Sequence, residues 1–179
     1  MLSGTHVQIL PSFLANPIKT VLLATMFYVS LPGAVQAQDS TRAETVSWSV
    51  SAPQVLKTRR VALTIRGAVR EGWHVYSLKQ VDDGPTPLLV SVERNNVAQA
   101  AGAVTGSTPV KQRDAAFGFD TQFYAKPFTL TVPVRLKAGT KPGPQTIPLS
   151  VRFQTCNGAV CQPPKTVHLT ATVDLKAAW

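Results

Sequence analysis

From Thr45 onward the chain alternates apolar and polar residues with a period of two. Val46, Trp48 and Val50 stand between Thr45, Ser47 and Ser49; Val61, Leu63 and Ile65 are spaced likewise, as are Leu88, Val90 and Val92. Longer stripes follow: Phe128, Leu130, Val132, Val134 and Leu136; then Ile147, Leu149, Val151 and Phe153; then Val167, Leu169, Ala171, Val173 and Leu175. Successive side chains of an extended strand point to opposite faces, so this pattern predicts antiparallel strands with one face on a core. Turn signals separate them: Arg70-Glu71-Gly72, Asp82-Asp83-Gly84-Pro85, Asn95-Asn96, and the Gly- and Pro-bearing stretch from Lys137 to Pro144. Only an Ala-rich patch near Val97 to Ala103 shows a weak helical spacing, and there is no internal repeat. The pattern predicts an all-β fold, a single β-sandwich of about seven to nine strands.

The N-terminal segment breaks the pattern. Lys19 precedes an apolar run from Val21 to Leu31, followed by Pro32-Gly33 and the small-residue stretch Ala34-Val35-Gln36-Ala37. A positive charge, an apolar run of roughly ten residues and small residues before a cut describe a secretory signal peptide. The run is shorter than the 20 or so residues of a comfortable membrane-spanning helix. The expectation is a signal peptide over residues 1–37, removed after Ala37, and one exported domain over residues 38–179.

The chain carries 18 Lys and Arg against 9 Asp and Glu, a formal net charge of +9. The basic residues are scattered (Arg66, Arg70, Lys111, Arg113, Lys137, Lys141) with no run of five, and they read as a solvated surface suited to acidic protein partners. Export and the absence of a basic cluster argue against nucleic acid. No CxxC, HExxH, GxSxG or glycine-rich phosphate loop occurs, so the enzyme classes built on those motifs have no support.

The only two cysteines, Cys156 and Cys161, lie five positions apart in the stretch FQTCNGAVCQPP, Phe153 to Pro164. In an exported protein a disulfide is their default state. They follow one predicted strand and precede another, so they flank a hairpin loop in which Asn157-Gly158 favours positive φ and Pro163-Pro164 halts ladder pairing. The structural disulfide of an immunoglobulin-type sandwich instead joins strands of opposite sheets, far apart in sequence. Closing about six residues restricts the unfolded chain by only ~2 kcal/mol, which makes the bond a poor staple. At the end of a rigid sandwich it is well placed as a redox centre. A metal site made of Cys156, Cys161, His168 and His74 is a further possibility of residue type. A third reading is a non-catalytic periplasmic binding or adaptor sandwich with a structural hairpin disulfide.

Three motifs in order, EGWHVY (Glu71 to Tyr76), FGFDTQFY (Phe117 to Tyr124) ahead of FTLTVPV, and FQTCNGAVCQPP, carry a resemblance that covers most of residues 45–175. The chain resembles the N-terminal periplasmic domain of the thiol:disulfide interchange protein DsbD. It departs from that family in its C-x4-C spacing, in Ala115 and Ala116 where some members are acidic, and in stopping at Trp179 without a membrane domain. The resemblance implies an immunoglobulin-like sandwich that acts as a component of a protein-disulfide reductase, with no cofactor and no metal. It implies that Cys161 attacks an oxidised partner and that Cys156 resolves the mixed disulfide. Phe117, on a loop freed by Gly118, is implied as a lid over the sulfurs, with Tyr76 beside them and Asp114 as the nearest carboxylate to accept a proton. Phe119, Phe123 and Tyr124 read as core, and Trp73 and His74 as packing and surface residues. The partners implied are a thioredoxin-like electron donor domain, carried by another polypeptide, and oxidised periplasmic thiol-disulfide proteins, including disulfide isomerases and the thioredoxins of cytochrome c maturation. Nucleic acid is not among them, and no stable membrane insertion follows signal cleavage.

Overall fold

The two-residue alternation becomes strand wherever it runs uninterrupted. A computed structural model of the chain describes residues 44–53 and 59–176; the proposed signal peptide and its cut after Ala37 lie outside the described residues. In chain order the strands are β1 (Val46–Ser51), β2 (Arg60–Val69), β3 (His74–Tyr76), β4 (Leu89–Val92), β5 (Ala98–Ala100), β6 (Thr105–Gly106), β7 (Val110–Arg113), β8 (Asp120–Tyr124), β9 (Phe128–Leu136), β10 (Gly143–Phe153), β11 (Thr155–Cys156) and β12 (Lys165–Leu175). They form three antiparallel sheets: β1-β2-β9-β5 with β6 also on β9, β12-β10-β4, and β11-β3-β8-β7. The fold is all-β and immunoglobulin-like, and the described residues fall within one compact unit.

Burial follows the stripes. Val61, Leu63 and Ile65 of β2 are buried, as are Phe128, Leu130, Val132, Val134 and Leu136 of β9 and Ile147, Leu149, Val151 and Phe153 of β10. With Ala171, Val173 and Leu175 of β12 they form one hydrophobic cluster between the sheets. Each large side chain buried this way contributes about 1.5–3 kcal/mol. The alternate residues Arg60, Ala62, Thr64 and Arg66 face solvent.

The strand number exceeds the seven to nine expected, because β3, β5, β6, β7 and β11 have only two to four residues each. Such segments are too short to show alternation and are defined by the neighbour they pair with. The Ala-rich patch at Val97 to Ala103 is strand at Ala98–Ala100, and no helix occurs among the described residues. Its interruption has a cause in β9. Ala101 N donates to Pro133 O at 2.9 Å, so Pro133 presents a carbonyl but no N–H to this flank. A proline cannot complete the ladder, and the edge splits into β5, opposite Val134 to Leu136, and β6, opposite Leu130 and Thr131. The Lys137 to Pro144 turn ends earlier than expected, since Gly143 and Pro144 already pair in β10.

Candidate functional site

β10 does not turn straight back into β12. Their ladder closes at the pair Phe153↔Lys165, and the intervening residues leave the hairpin to join a separate four-stranded sheet. There β11 pairs with β3 (Thr155↔Val75, Cys156↔His74). β3 pairs with β8 (Val75↔Tyr124, Tyr76↔Phe123), and β8 with β7 (Val110↔Phe123, Arg113↔Asp120). Directly paired residues share a face, and neighbours along a strand alternate. Thr155, Val75 and Tyr124 therefore share one face, where all three are buried and Val75 and Tyr124 belong to the core cluster. Cys156, His74, Tyr76, Phe123 and Thr121 share the other.

Cys156 and Cys161 are disulfide-bonded, with Cα atoms 4.1 Å apart. The loop between them is a closed turn. Asn157 N donates to Val160 O at 3.1 Å, and Asn157 Oδ1 accepts from the Ala159 and Val160 amides at 3.1 and 2.8 Å. Gly158 at φ 85° supplies the left-handed position expected of it, and Gln162 N returns to Thr155 O at 2.8 Å. The picture of a bond exposed at a hairpin tip needs one correction. Cys156 is fully buried because it belongs to the β11–β3 ladder. Cys161, on the returning loop, is half-buried, and its neighbour Val160 is 53% exposed. The two sulfurs thus differ in access, and Cys161 is the one at the surface.

Tyr76 is buried at 0% exposure, beyond the half-buried strand tyrosine that the pattern alone suggests. Its hydroxyl donates to Asp114 Oδ2 at 2.8 Å and lies 3.8 Å from Cys161 Sγ. Asp114 is buried as well. Its Oδ2 accepts a second bond from Thr121 Oγ1 at 3.1 Å, and its Oδ1 accepts from Ala116 N at 2.9 Å. Burial pushes the Asp114 carboxyl up, but the bonds from Tyr76, Ala116 and Thr121, with His74 nearby, outweigh it and leave the carboxyl below its ordinary range. For Tyr76, burial, the bond to Asp114 and that residue's charge all push the phenol upward, so it holds its proton.

His74 is drawn into this group although its residue type and neighbours read as packing and surface. Its side chain is 14% exposed and its Nε2 lies 3.8 Å from Asp114 Oδ2. The ring stacks obliquely on Phe123, centroids 4.5 Å apart, and meets Tyr76 edge-on at 5.1 Å. Burial lowers its pKa more than Asp114 raises it, which favours neutral imidazole. The signal was available: His74 and Tyr76 are i and i+2 on one strand and must share a face. Thr121 was also missed, being an unremarkable strand threonine until Asp114 is placed against it.

Phe117 stands in the loop joining β7 to β8. Asp114 N donates to Phe119 O and Gly118 N to Asp114 O, both at 2.8 Å, and Gly118 takes φ 74°, so this is a tight hairpin turn with Phe117 near its tip. Phe117 is half-buried and meets the Tyr76 ring edge-on, centroids 5.8 Å apart; Phe119 is 5.9 Å from it. Its aromatic partners are thus Tyr76 and Phe119. Of the three aromatics expected in the core, Tyr124 is there, stacked on Phe128 at 4.1 Å, while Phe119 and Phe123 are only half-buried. Trp73 packs under the Arg70 guanidinium at 5.2 Å.

His168 takes no part. It is 73% exposed on β12 with Nδ1 2.5 Å from Glu93 Oε1, and among the described residues no three His, Cys, Asp or Glu gather in a metal-binding cluster. Neither is any helix among the described residues long and apolar enough to cross a membrane.

Comparison with known proteins adds the chemistry. The family described as "Thiol:disulfide interchange protein DsbD, N-terminal" matches residues 35–172. The crystal structure of the Neisseria meningitidis DsbD N-terminal domain in the reduced form is similar with a TM-score of 0.45 and 18% identity, over 63% of this chain and 78% of that one. AggA, the major subunit of aggregative adherence fimbriae type I from Escherichia coli, is similar with a TM-score of 0.37 and 15% identity, over 73% of this chain and 94% of that one. No curated protein matches the chain.

Proposed function

We infer the function from one premise: the chain belongs to the family of N-terminal domains of the thiol:disulfide interchange protein DsbD. The family works in thiol–disulfide interchange with protein redox partners, and its domain is periplasmic. In this chain the Cys156–Cys161 pair is the redox centre, and it carries electrons from a thioredoxin-like donor to oxidised periplasmic proteins. The observation that carries this reading is the unequal access of the two sulfurs, with Cys161 at the surface 3.8 Å from a buried tyrosine hydroxyl and Cys156 beneath it.

The exchange runs as follows. The Cys161 thiolate attacks one sulfur of the partner's disulfide; that S–S bond breaks, and the partner's other sulfur leaves as a thiolate and takes a proton. The mixed disulfide joins Cys161 to the partner. Cys156 then loses its proton and attacks Cys161 Sγ, forming the Cys156–Cys161 bond and releasing the partner's second thiolate, which is protonated in turn. Two electrons and two protons have passed to the partner. A thioredoxin-like thiol donor reverses the sequence and resets the pair. Phe117 screens the site from small thiols until a partner displaces its loop, and Tyr76 offers a hydroxyl to sulfur as charge develops there. Disulfide isomerases and the thioredoxins of cytochrome c maturation are the acceptors of matching chemistry. Residues 1–37 serve as the signal peptide and residues 38–179 form the exported redox domain.

Trapping tests the assignment. A Cys156→Ser variant cannot resolve and should accumulate a mixed disulfide through Cys161 with a thioredoxin-like protein, whereas the double Cys→Ser variant should form none and keep its fold. Full activity of the double variant, or a Cys156–Cys161 potential below about −300 mV, would instead indicate an adaptor with a structural bond.

A further inference from the structure

A phenol has one proton to donate. Tyr76 donates its hydrogen bond to Asp114 Oδ2 at 2.8 Å, yet Cys161 Sγ stands 3.8 Å from the same hydroxyl. The two acceptors compete. The competition is decided at Asp114, whose Oδ2 also holds Thr121 at 3.1 Å and faces His74 Nε2 at 3.8 Å. That imidazole nitrogen is buried and makes no hydrogen bond. A buried nitrogen without a partner, set just beyond bonding distance of a buried carboxylate, is costly in one protonation state and satisfied in the other.

We propose that His74 is a positioning residue whose protonation decides which acceptor takes the Tyr76 hydrogen bond, tying the reactivity of Cys161 to pH. The proposal rests on the redox reading of Cys161 and deepens it. When His74 takes a proton from solvent, both ring nitrogens become donors and the imidazolium closes on Asp114 Oδ2. The carboxylate charge is offset and its hold on Tyr76 weakens. The Tyr76 hydroxyl keeps its proton and turns about its C–O bond toward Cys161, whose own proton has gone to solvent. The Cys161 thiolate gains a donor, and a hydrogen bond to the charged form lowers a thiol pKa. When His74 is neutral, Asp114 keeps the Tyr76 hydrogen bond and the sulfur does without it. Burial of the imidazole makes the neutral form the resting state near pH 7, the state in which Asp114 takes the Tyr76 hydrogen bond.

The groups facing His74 allow this. Its own strand contributes Tyr76, and the β7–β8 loop contributes Asp114. β11 places Cys156 directly opposite, a second titratable thiol once the bond is reduced. β8 contributes the uncharged Phe123. Arg70 is engaged on the ring of Trp73, the residue that precedes His74.

The test is the alkylation rate of Cys161 by iodoacetamide in Cys156→Ser protein, with and without His74→Gln. Iodoacetamide reads the thiolate alone and needs no partner. At about pH 5 the protein with His74 should react about tenfold faster than the glutamine variant, one unit of thiol pKa, with the ratio falling to near one by about pH 8. In a Tyr76→Phe background the ratio should be one throughout. A ratio that does not change with pH, or one that persists without the Tyr76 hydroxyl, overturns the relay. If His74→Gln does not fold, His74→Phe serves the same comparison. A flat ratio with partner exchange intact defeats the relay alone, whereas failure to exchange defeats the redox reading beneath it.

Discussion

Asp114 is the residue on which the site converges. Its carboxylate receives Tyr76 and Thr121 from the sheet and Ala116 from the loop, so one buried charge fastens the β7–β8 loop to the sheet. Replacing it with asparagine keeps the shape and removes the charge. Asp114→Asn should cost about 1–3 kcal/mol at pH 7, since charge-assisted bonds are weakened and the amide presents donors to donors. The pH dependence has a definite sign. The folded-state pKa lies below the ordinary value of 3.8, so the unfolded chain binds more protons between the two values and stability falls as pH drops through that window. Urea midpoints of the two proteins should therefore converge below about pH 4. A gap that stays constant into acid would show that the carboxylate charge contributes nothing.

Among the elements, the β7–β8 hairpin and the pair β3–β11 do different work. β3 and β11 are short and buried on both faces, Val75 and Thr155 on one and Tyr76 and Cys156 on the other, and they hold Tyr76, His74 and Cys156 in register. β7 is an edge strand with all four residues exposed, joined to the rest of its sheet only through β8. A segment with one paired side and little burial opens at low cost. β7 is thus held by fewer contacts than β3, which is paired on both sides. Phe117→Ala should speed reduction of the Cys156–Cys161 bond by glutathione severalfold and change stability by no more than about 1 kcal/mol, as befits a half-buried loop side chain. An unchanged rate of glutathione attack would remove the lid.

For the whole molecule, the disulfide lies outside the long-strand part of the core. The core cluster draws most of its side chains from the long strands β2, β9, β10 and β12, which the Cys156–Cys161 loop does not cross-link to one another. Reduction should leave the strand content unchanged by circular dichroism and lower the unfolding free energy by ~2 kcal/mol, the loop-entropy value for so short a closure. Global unfolding on reduction would mark the bond as a staple. A carrier must meet this condition, because it spends part of each cycle without the bond.

The long strands, their inward faces and the turn at Asn157-Gly158 are all legible in the amino-acid order, because side-chain alternation and positive φ are local properties of a few adjacent residues. Cys156 and Cys161 could be singled out by residue type and spacing, and Tyr76, Phe117 and Asp114 by the family resemblance of the motifs around them. The short strands, the burial of Cys156 and the entry of His74 and Thr121 into the site could not. Each depends on which strand lies beside which: His74 meets Cys156, Phe123 and Asp114 only because β3 is flanked by β11 and β8. Those contacts join residues 40 to 82 positions apart, and only the pairing of distant strands, fixed by burying the long stripes against one another, brings them within a few ångströms.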